Sequence, residues 1–457
     1  MAQDREGNRL SARVGRYAKV GTGMGGIAAK MAGSKLLGLD LNSARSAQDI
    51  ADALGGLKGP LMKVAQLLAT VPDLLPPEYA AELARLQSNA PPMGWAFVKR
   101  RMRAELGPEW QSRFASFEHD PSAAASLGQV HRAVTPDGRA VACKLQYPDM
   151  ASAVEADLTQ LQWLVSLHRR IQNAIDSREI AKEIAARVRE ELDYTREAAN
   201  MSVYRTMLAH RDDIRVPDTV ADLSTGRLLT MGWLEGTPIL NFRDHPQEER
   251  NRLAEVMFHA WWHPFSHYGL IHGDPHLGNY TVYTDETGRE PLGLNLLDYG
   301  CIRIFPEHFV AGVVDLYKGL LEGDEARVVH AYESWGYKGL TRATIDVLNI
   351  WARFIYGPLL TDRVRPIAEG VSAAEYGRKE AFQVHKGLKE LGPVTVPQEF
   401  VFMDRAAIGL GSVFLHLRAE LNFYRLFNEQ IESFSAETVA SRQEELLKRS
   451  AHPALAA

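Results

Sequence analysis

Several things are scarce in this sequence, and each scarcity excludes a class of protein. Two cysteines in 457 residues, Cys143 and Cys301, cannot build a disulfide framework. Reduced thiols are the expectation. No stretch reaches the ~18 uninterrupted apolar residues of a membrane span, and the start, Met1-Ala-Gln-Asp4-Arg5-Glu6, lacks the basic opening and apolar core of a secretory signal. The expected location is the cytoplasm. Basic charge is not in excess either: the formal net charge is -5, which removes the electrostatic case for a nucleic-acid partner. With 46% apolar and 24% charged residues, the chain falls outside the disordered and fibrous classes. It is long enough for two or three domains, or for a bilobal enzyme with an extension.

What the chain does have is concentrated between Gly269 and Cys301: His272-Gly-Asp274-Pro-His276-Leu-Gly-Asn279, a polar turn, then Leu297-Asp298-Tyr-Gly300. An Asp followed five residues later by an Asn, and then by Asp-aromatic-Gly after an apolar run, is the order of a kinase-type catalytic loop and metal-binding loop. The spacing has a chemical reason. One carboxylate, Asp274, must reach the acceptor hydroxyl or water, while an amide oxygen (Asn279) and a second carboxylate (Asp298) hold Mg²⁺ against phosphates. Between them, Tyr280-Thr-Val-Tyr283, a turn through Gly288, and Leu292 to Leu297 predict a hairpin that sets both metal ligands at one end.

Along the chain, Arg5, Arg9, Arg13, Arg16 and Lys19 recur at helical intervals. Two readings are open for that basic face, peripheral contact with an anionic membrane surface and a solvated terminus. From Ser46 to Arg103 the apolar spacing is helical with proline breaks, which predicts an all-helical extension. Within it Lys63 and Gln66 share one helical face.

The block Ala123-Ala124-Ala125-Ser126-Leu-Gly128 leads through a strand and the turn Thr135-Pro-Asp137-Gly138 to Val141-Ala-Cys-Lys144, a second predicted hairpin. Kinase-like lobes place a phosphate-covering loop on the first such strand and a phosphate-binding Lys on the next. Lys144 fits that Lys, and Ala123 to Ala125 stand where glycines usually do. A helix is predicted from about Arg178 to Leu208. Its apolar stripe, Ile180, Ile184 and Val188, ends on Glu191, a carboxylate that needs a cation, for which Lys144 is the candidate. Asp193 falls on another face, with Glu197. Leu228 to Gly236, including Met231 and Leu234, reads as a strand entering the connection where adenine meets backbone groups in a bilobal kinase.

The set Lys63-x-x-Gln66, Ala123 to His131, Val141-Ala-Cys-Lys144, Glu191-Leu-Asp193-Tyr-x-x-Glu197-Ala-x-Asn200, His272-Gly-Asp-Pro-His-x-Gly-Asn279 and Leu297-Asp-Tyr-Gly300 resembles the UbiB/AarF/ADCK family of atypical protein-kinase-like ATPases, over about residues 15 to 430. The resemblance implies that Lys144 holds the α- and β-phosphates and pairs with Glu191, that Asp274 occupies the catalytic position, and that Asn279 and Asp298 bind Mg²⁺. It implies that the extension bearing Lys63 and Gln66 folds over the substrate cleft, with Asp193 meeting it there. Two departures stand out: Ala65 replaces the usual Gly of the Lys-x-Gly-Gln signature, and Tyr299 replaces the more common Phe of the metal loop.

The expected fold is a bilobal α+β, kinase-like body with an N-terminal helical extension and a mostly helical C-terminal lobe, in which the sequence after Pro306 reads as amphipathic helix, including Phe309 to Leu321, Ile345 to Tyr356 and Phe400 to Leu421. The expected blocks are 1–45 basic and Gly-rich, 46–110 extension, 111–235 N-lobe, 236–435 C-lobe and 436–457 tail. The expected cofactors are ATP and Mg²⁺. From the resemblance, the partners beyond nucleotide are an isoprenoid-quinone precursor or lipid, and the role is in ubiquinone or related isoprenoid-lipid biosynthesis. A small-molecule phosphotransferase of the aminoglycoside or choline kinase type and a non-catalytic lipid-binding scaffold are the alternatives. A conventional protein kinase is disfavoured because no Ala-Pro-Glu follows Asp298.

Overall fold

A computed structural model describes residues 93–124, 127–158 without 153, 156 and 157, 186–391 without 187 and 374, 398–450, and 452. Lys63, Gln66, Ala65, Ala125, Ser126, Ile180, Ile184 and the N-terminal basic face lie outside the described residues. The chain divides into two compact units, one running to Thr195 and including Thr219–Trp233, the other Arg196–Asp218 with Leu234–Ala457.

In the first unit, helix α1 (Trp95–Leu106) precedes strands β1 (Ser116–Phe117), β2 (Ala123–Ala124), β3 (Gly128–Val134) and β4 (Ala140–Gln146). Strand β5 (Ile214–Arg215) lies in the second unit, and β6 (Leu228–Gly232) returns to the first. The sheet order is β1-β3-β4-β6 with β2 also on β3, every pair antiparallel. The β3–β4 hairpin is the predicted one, closing on Gly138 at φ +87°, a left-handed conformation that favours glycine. A Cβ on Gly128 would lie 2.4 Å from Leu145 O, so β3 approaches β4 there as only glycine allows.

Helix α1, from the stretch read as extension, packs on this sheet. Its Val98 and Met102 join Trp110, Phe114, Ala133, Val141, Cys143, Leu145 and Leu228 in one buried core. Arg101, 2% exposed, is buried beside them. It is satisfied: its guanidinium donates to Gln146 O at 2.9 Å, Tyr147 O at 3.1 Å and Glu105 Oε1 at 3.1 Å, as a buried cation requires.

The second unit begins within α2 (Tyr194–Met207) and continues through β5, β7 (Thr237–Pro238) and the long α3 (Gln247–Tyr268). Helix α3 buries Leu253, Met257, Phe258, Trp261 and Phe265 and ends on Gly269 at φ +67°, where the left-handed cap turns the chain straight into β8 (Leu270–His272). Strands β9 (Tyr280–Thr284) and β10 (Pro291–Leu296) form a sheet of order β5-β10-β9-β7, and β11 (Ile302–Ile304) pairs with β8. Among the described residues seven α-helices follow: α4 (Glu307–Glu322), α5 (Glu325–Ser334), α6 (Arg342–Tyr356), α7 (Arg378–Leu391), α8 (Gln398–Leu417), α9 (Phe423–Ile431) and α10 (Ala436–Arg449).

The amphipathic stretches Phe309 to Leu321 and Ile345 to Tyr356 are α4 and α6. The predicted helix Phe400 to Leu421 is α8, but it stops at Leu417 because Arg418 turns left-handed at φ +49°. Ala419 N–H then reaches back to Phe414 O at 3.1 Å, satisfying a carbonyl the helix leaves open. Among the described residues no helix is long and apolar enough to cross a membrane.

Candidate functional site

Strands β9 and β10 run antiparallel with Leu296 opposite Tyr280. Asn279, just before β9, and Asp298, two residues after β10, therefore stand at the same end of the hairpin, and Leu297 N–H donates to Asn279 O at 3.0 Å. The loop carrying Asp274 is tied in from the other side. Ile302 of β11 lies opposite His272 of β8, and Gly273 N–H donates to Cys301 O at 2.6 Å.

One imidazole links the two loops. His272 is 3% exposed, and its Nδ1 accepts from Asp274 N–H at 3.2 Å. Since Nδ1 accepts, Nε2 carries the proton and donates to Asp298 O at 2.7 Å. The geometry thus fixes the tautomer as well as the ring.

Asn279 Nδ2 donates to Asp274 O at 3.0 Å. That spends the amide nitrogen on the Asp274 loop and leaves Oδ1 as the atom Asn279 presents. Asp298 Oδ1 accepts from Gly300 N–H at 2.9 Å, which orients its carboxylate. An amide oxygen and a carboxylate at one hairpin end are donors for a hard cation, so these residues fit Mg²⁺. No cluster of three or more His, Cys, Asp or Glu suited to a metal occurs among the described residues. An octahedral ion held here would complete its shell with phosphate and water oxygens.

Tyr299 is fully buried. Burial, with Tyr204 beside it, holds its phenol well above the usual range, and the neutral hydroxyl donates to Leu296 O at 2.9 Å. The Tyr-for-Phe departure therefore adds a tie inside the Asp298 loop. Its backbone is gripped too: Asn200 of α2 donates from Nδ2 to Tyr299 O at 2.7 Å, and Asn200 Oδ1 accepts from His452 Nε2 at 2.7 Å.

In the first unit, Lys144 lies on β4 opposite Val130 of β3, with Nζ 5.3 Å from the centroid of the Tyr194 ring. Cys143 points the other way, as alternation on a strand demands. It is a core side chain whose thiol burial pushes up to about 12, so it is no nucleophile at neutral pH. Ala123 and Ala124 form the short exposed β2 against Val130 and Gln129. Met231 is buried in β6 and paired with Ala142 on one side and bridged to Thr219 on the other. Leu234, counted with the second unit, is past the end of that strand.

Two expectations are corrected here. The helix read as continuous from Arg178 to Leu208 is broken: Glu191 and Leu192 form a turn, and α2 starts afresh at Tyr194. Glu191 thus sits in that turn and not on a continuing helical stripe. The cause is Asp193, whose Oδ1 accepts from Thr195 N–H at 3.0 Å and caps the new helix. Asp193 is exposed whereas Glu197 is 3% exposed, so the two do not share a face as expected.

Residues 85–332 match the ABC1 atypical kinase-like domain. The chain belongs to this family. The match takes in the Lys144 strand, the Asp274 loop and the Asp298 loop, and names among its relatives agree with the UbiB/AarF/ADCK resemblance. AarF domain-containing protein kinase 1 of Mus musculus is 32% identical over 284 residues, 61% of this chain and 54% of that protein. Atypical kinase COQ8, mitochondrial, of Saccharomyces cerevisiae is 29% identical over 262 residues, 57% of this chain and 51% of that one. This chain spans about half the length of the curated relatives it matches. The solved complex of Rv3197 with erythromycin from Mycobacterium tuberculosis has a TM-score of 0.58 and 26% identity, covering 88% of this chain and 98% of that one. The fold is accordingly kinase-like and mixed α+β.

In this ABC1 atypical kinase-like chain, His272, Asn200 and His452 brace the two loops without being among the residues predicted to form the site. His272 and Asn200 both belong to recognised motifs, and a buried polar residue inside a motif is a signal that it has a partner. His452 carried no signal, because its partner lies 252 residues away in sequence.

Proposed function

We propose that this chain is an Mg²⁺-ATP-dependent atypical kinase or ATPase that serves ubiquinone or related isoprenoid-lipid biosynthesis. One observation carries the reading: Asp274, Asn279 and Asp298 are tied into a single constellation through His272 and the Asn279 amide. In this reading Asp274 accepts the proton of the acceptor hydroxyl or water, and His272 keeps the catalytic and metal loops in register. Asn279 Oδ1 and the Asp298 carboxylate hold Mg²⁺, which when bound neutralises phosphate charge. Lys144 takes phosphate oxygens with Glu191 as its partner, Ala123 to Gly128 cover the phosphates, and Met231 to Leu234 meet the base. Lys63 and Gln66 belong to a regulatory extension that Asp193 meets. The basic residues from Arg5 to Lys19 give peripheral contact with the inner face of a membrane.

ATP consumption by the purified chain, with and without isoprenoid-quinone precursors and anionic liposomes, tests this reading. Slow basal turnover that rises with a precursor or with liposomes is the expected result. Erythromycin makes a useful second arm, because the Rv3197 structure contains it. Nucleotide binding with no turnover under any condition would favour the scaffold alternative.

A further inference from the structure

We infer that Gly409, in the interior of α8, is a positioning residue for Asp274. The inference rests on the proton-accepting role proposed for Asp274. A glycine inside a helix costs about 1 kcal/mol relative to alanine, yet α8 carries two, in Ala406-Ala-Ile-Gly409-Leu-Gly411. A methyl on Gly409 would come 2.1 Å from Pro275 Cγ, 3.2 Å from its Cδ and 3.3 Å from its Cβ. Pro275 is buried and follows Asp274 directly.

Proline has no N–H, so no hydrogen bond from its own nitrogen can anchor the loop at this point. The surrounding bonds run within the loop or toward β11: Asp274 N–H to His272 Nδ1, His276 N–H to Asp274 O at 2.7 Å, and Gly273 N–H to Cys301 O. The pyrrolidine ring is fixed instead by its contact with the bare backbone of α8. Gly273, on the other side of Asp274 in sequence, is also pressed, though less closely, since a Cβ there would lie 2.9 Å from Cys301 Sγ. The residues flanking Asp274 are thus held on both sides, Gly273 by packing and a hydrogen bond to Cys301 just before β11 and Pro275 by packing on α8.

Ordinary carbon contacts sit at about 3.5–4.0 Å, so a methyl at position 409 must displace the loop or the helix by more than about 1 Å. Misplacement on that scale can cost about 10²-fold in turnover. Gly411 supplies a control on the same helix. Its added methyl would meet Tyr376 Cε1 at 2.3 Å, the end of a side chain and not the catalytic loop.

The test measures kcat for ATP and Mg²⁺-ATP affinity in the full chain. Gly409→Ala is expected to lower kcat about 10²-fold with affinity within about twofold of the parent. Pro275→Ala, which empties the contact, lowers kcat less. The Gly409→Ala/Pro275→Ala double variant exchanges one bulk for the other and recovers most of the turnover, while Gly411→Ala matches the parent. Parental kcat in Gly409→Ala, a double variant no better than Gly409→Ala, or an equal loss in Gly411→Ala would each overturn the inference. Should Gly409→Ala fail to fold, the Pro275→Ala effect and the double variant decide on the same criteria. Asp274→Asn is run alongside. If it keeps full turnover the role of Asp274 fails; if it loses turnover while Gly409→Ala does not, only the present inference fails.

Discussion

Asn200 is the residue whose removal should most damage the metal loop without touching a proposed ligand. It is 2% exposed, its Nδ2 donates to Tyr299 O at 2.7 Å, and its Oδ1 accepts from His452 Nε2 at 2.7 Å. Asn200→Ala leaves a carbonyl and an imidazole N–H buried without these partners. Each orphaned group costs about 1–3 kcal/mol, so the expected loss is about 2–6 kcal/mol, or about 4–24 °C at roughly 2–4 °C per kcal/mol for a body of this size. Asn200→Asp keeps the acceptor for His452, removes the donor, and sets a carboxylate against the Tyr299 carbonyl. It should therefore weaken Mg²⁺-ATP binding as strongly as Asn200→Ala does. His452→Ala removes the other bond only and should cost stability with little change in nucleotide affinity. Urea and thermal unfolding without nucleotide, followed by calorimetric titration with Mg²⁺-ATP, read both effects. An Asn200→Ala variant with parental midpoints, or a His452→Ala variant that loses affinity as severely as Asn200→Asp, would refute the reasoning.

Asp274→Asn should retain Mg²⁺-ATP affinity and lose most turnover, because the carboxylate is assigned to the acceptor and not to the metal; equal loss of binding in a titration would show the roles misassigned. Lys144→Ala should weaken ATP affinity, and a double-mutant cycle with Glu191→Ala reads their coupling; zero coupling removes the pair. Asp404, which accepts from Trp351 Nε1 at 2.8 Å, is pushed by burial up to about 7. Since the unfolded carboxyl ionises first, near 4, the folded state is favoured at low pH. Stability should fall as pH rises from about 4 to about 7, by at most about 1.4 kcal/mol per unit. Asp404→Asn keeps an acceptor oxygen and should flatten that dependence in urea midpoints taken at pH 5 and pH 8; an unchanged slope would exclude Asp404 as its source.

Local chemistry was legible in the sequence wherever it depends on neighbours in the chain. The Asp-Gly turn after Pro136 and the polar turn through Gly288 mark hairpins by residue type alone, and both formed as read. The order of Asp274, Asn279 and Asp298 was equally plain, because their spacing is set by one loop and one hairpin. Asp193 could have been read as a helix start, but a helical pattern on both sides of it masked the break. Arg418 carries no mark of a left-handed residue, so the end of α8 was overshot. Contacts between distant segments were out of reach. Asn200 with Tyr299, His452 with Asn200, and Gly409 with Pro275 join parts of the chain that no periodicity relates. Glycines inside α8 hinted at a close approach without naming what approaches.

The central claim is that the loops after β8 and β10 form an Mg²⁺-dependent nucleotide centre, and Asp298→Asn tests it most directly. The substitution keeps the shape and removes the charge that would offset phosphate. Thermal unfolding of parent and variant is followed with ATP, with Mg²⁺, and with both. The account predicts a parent stabilised only when both are present and a variant of normal basal stability that gains nothing. Equal Mg²⁺-ATP stabilisation in the two proteins would contradict it.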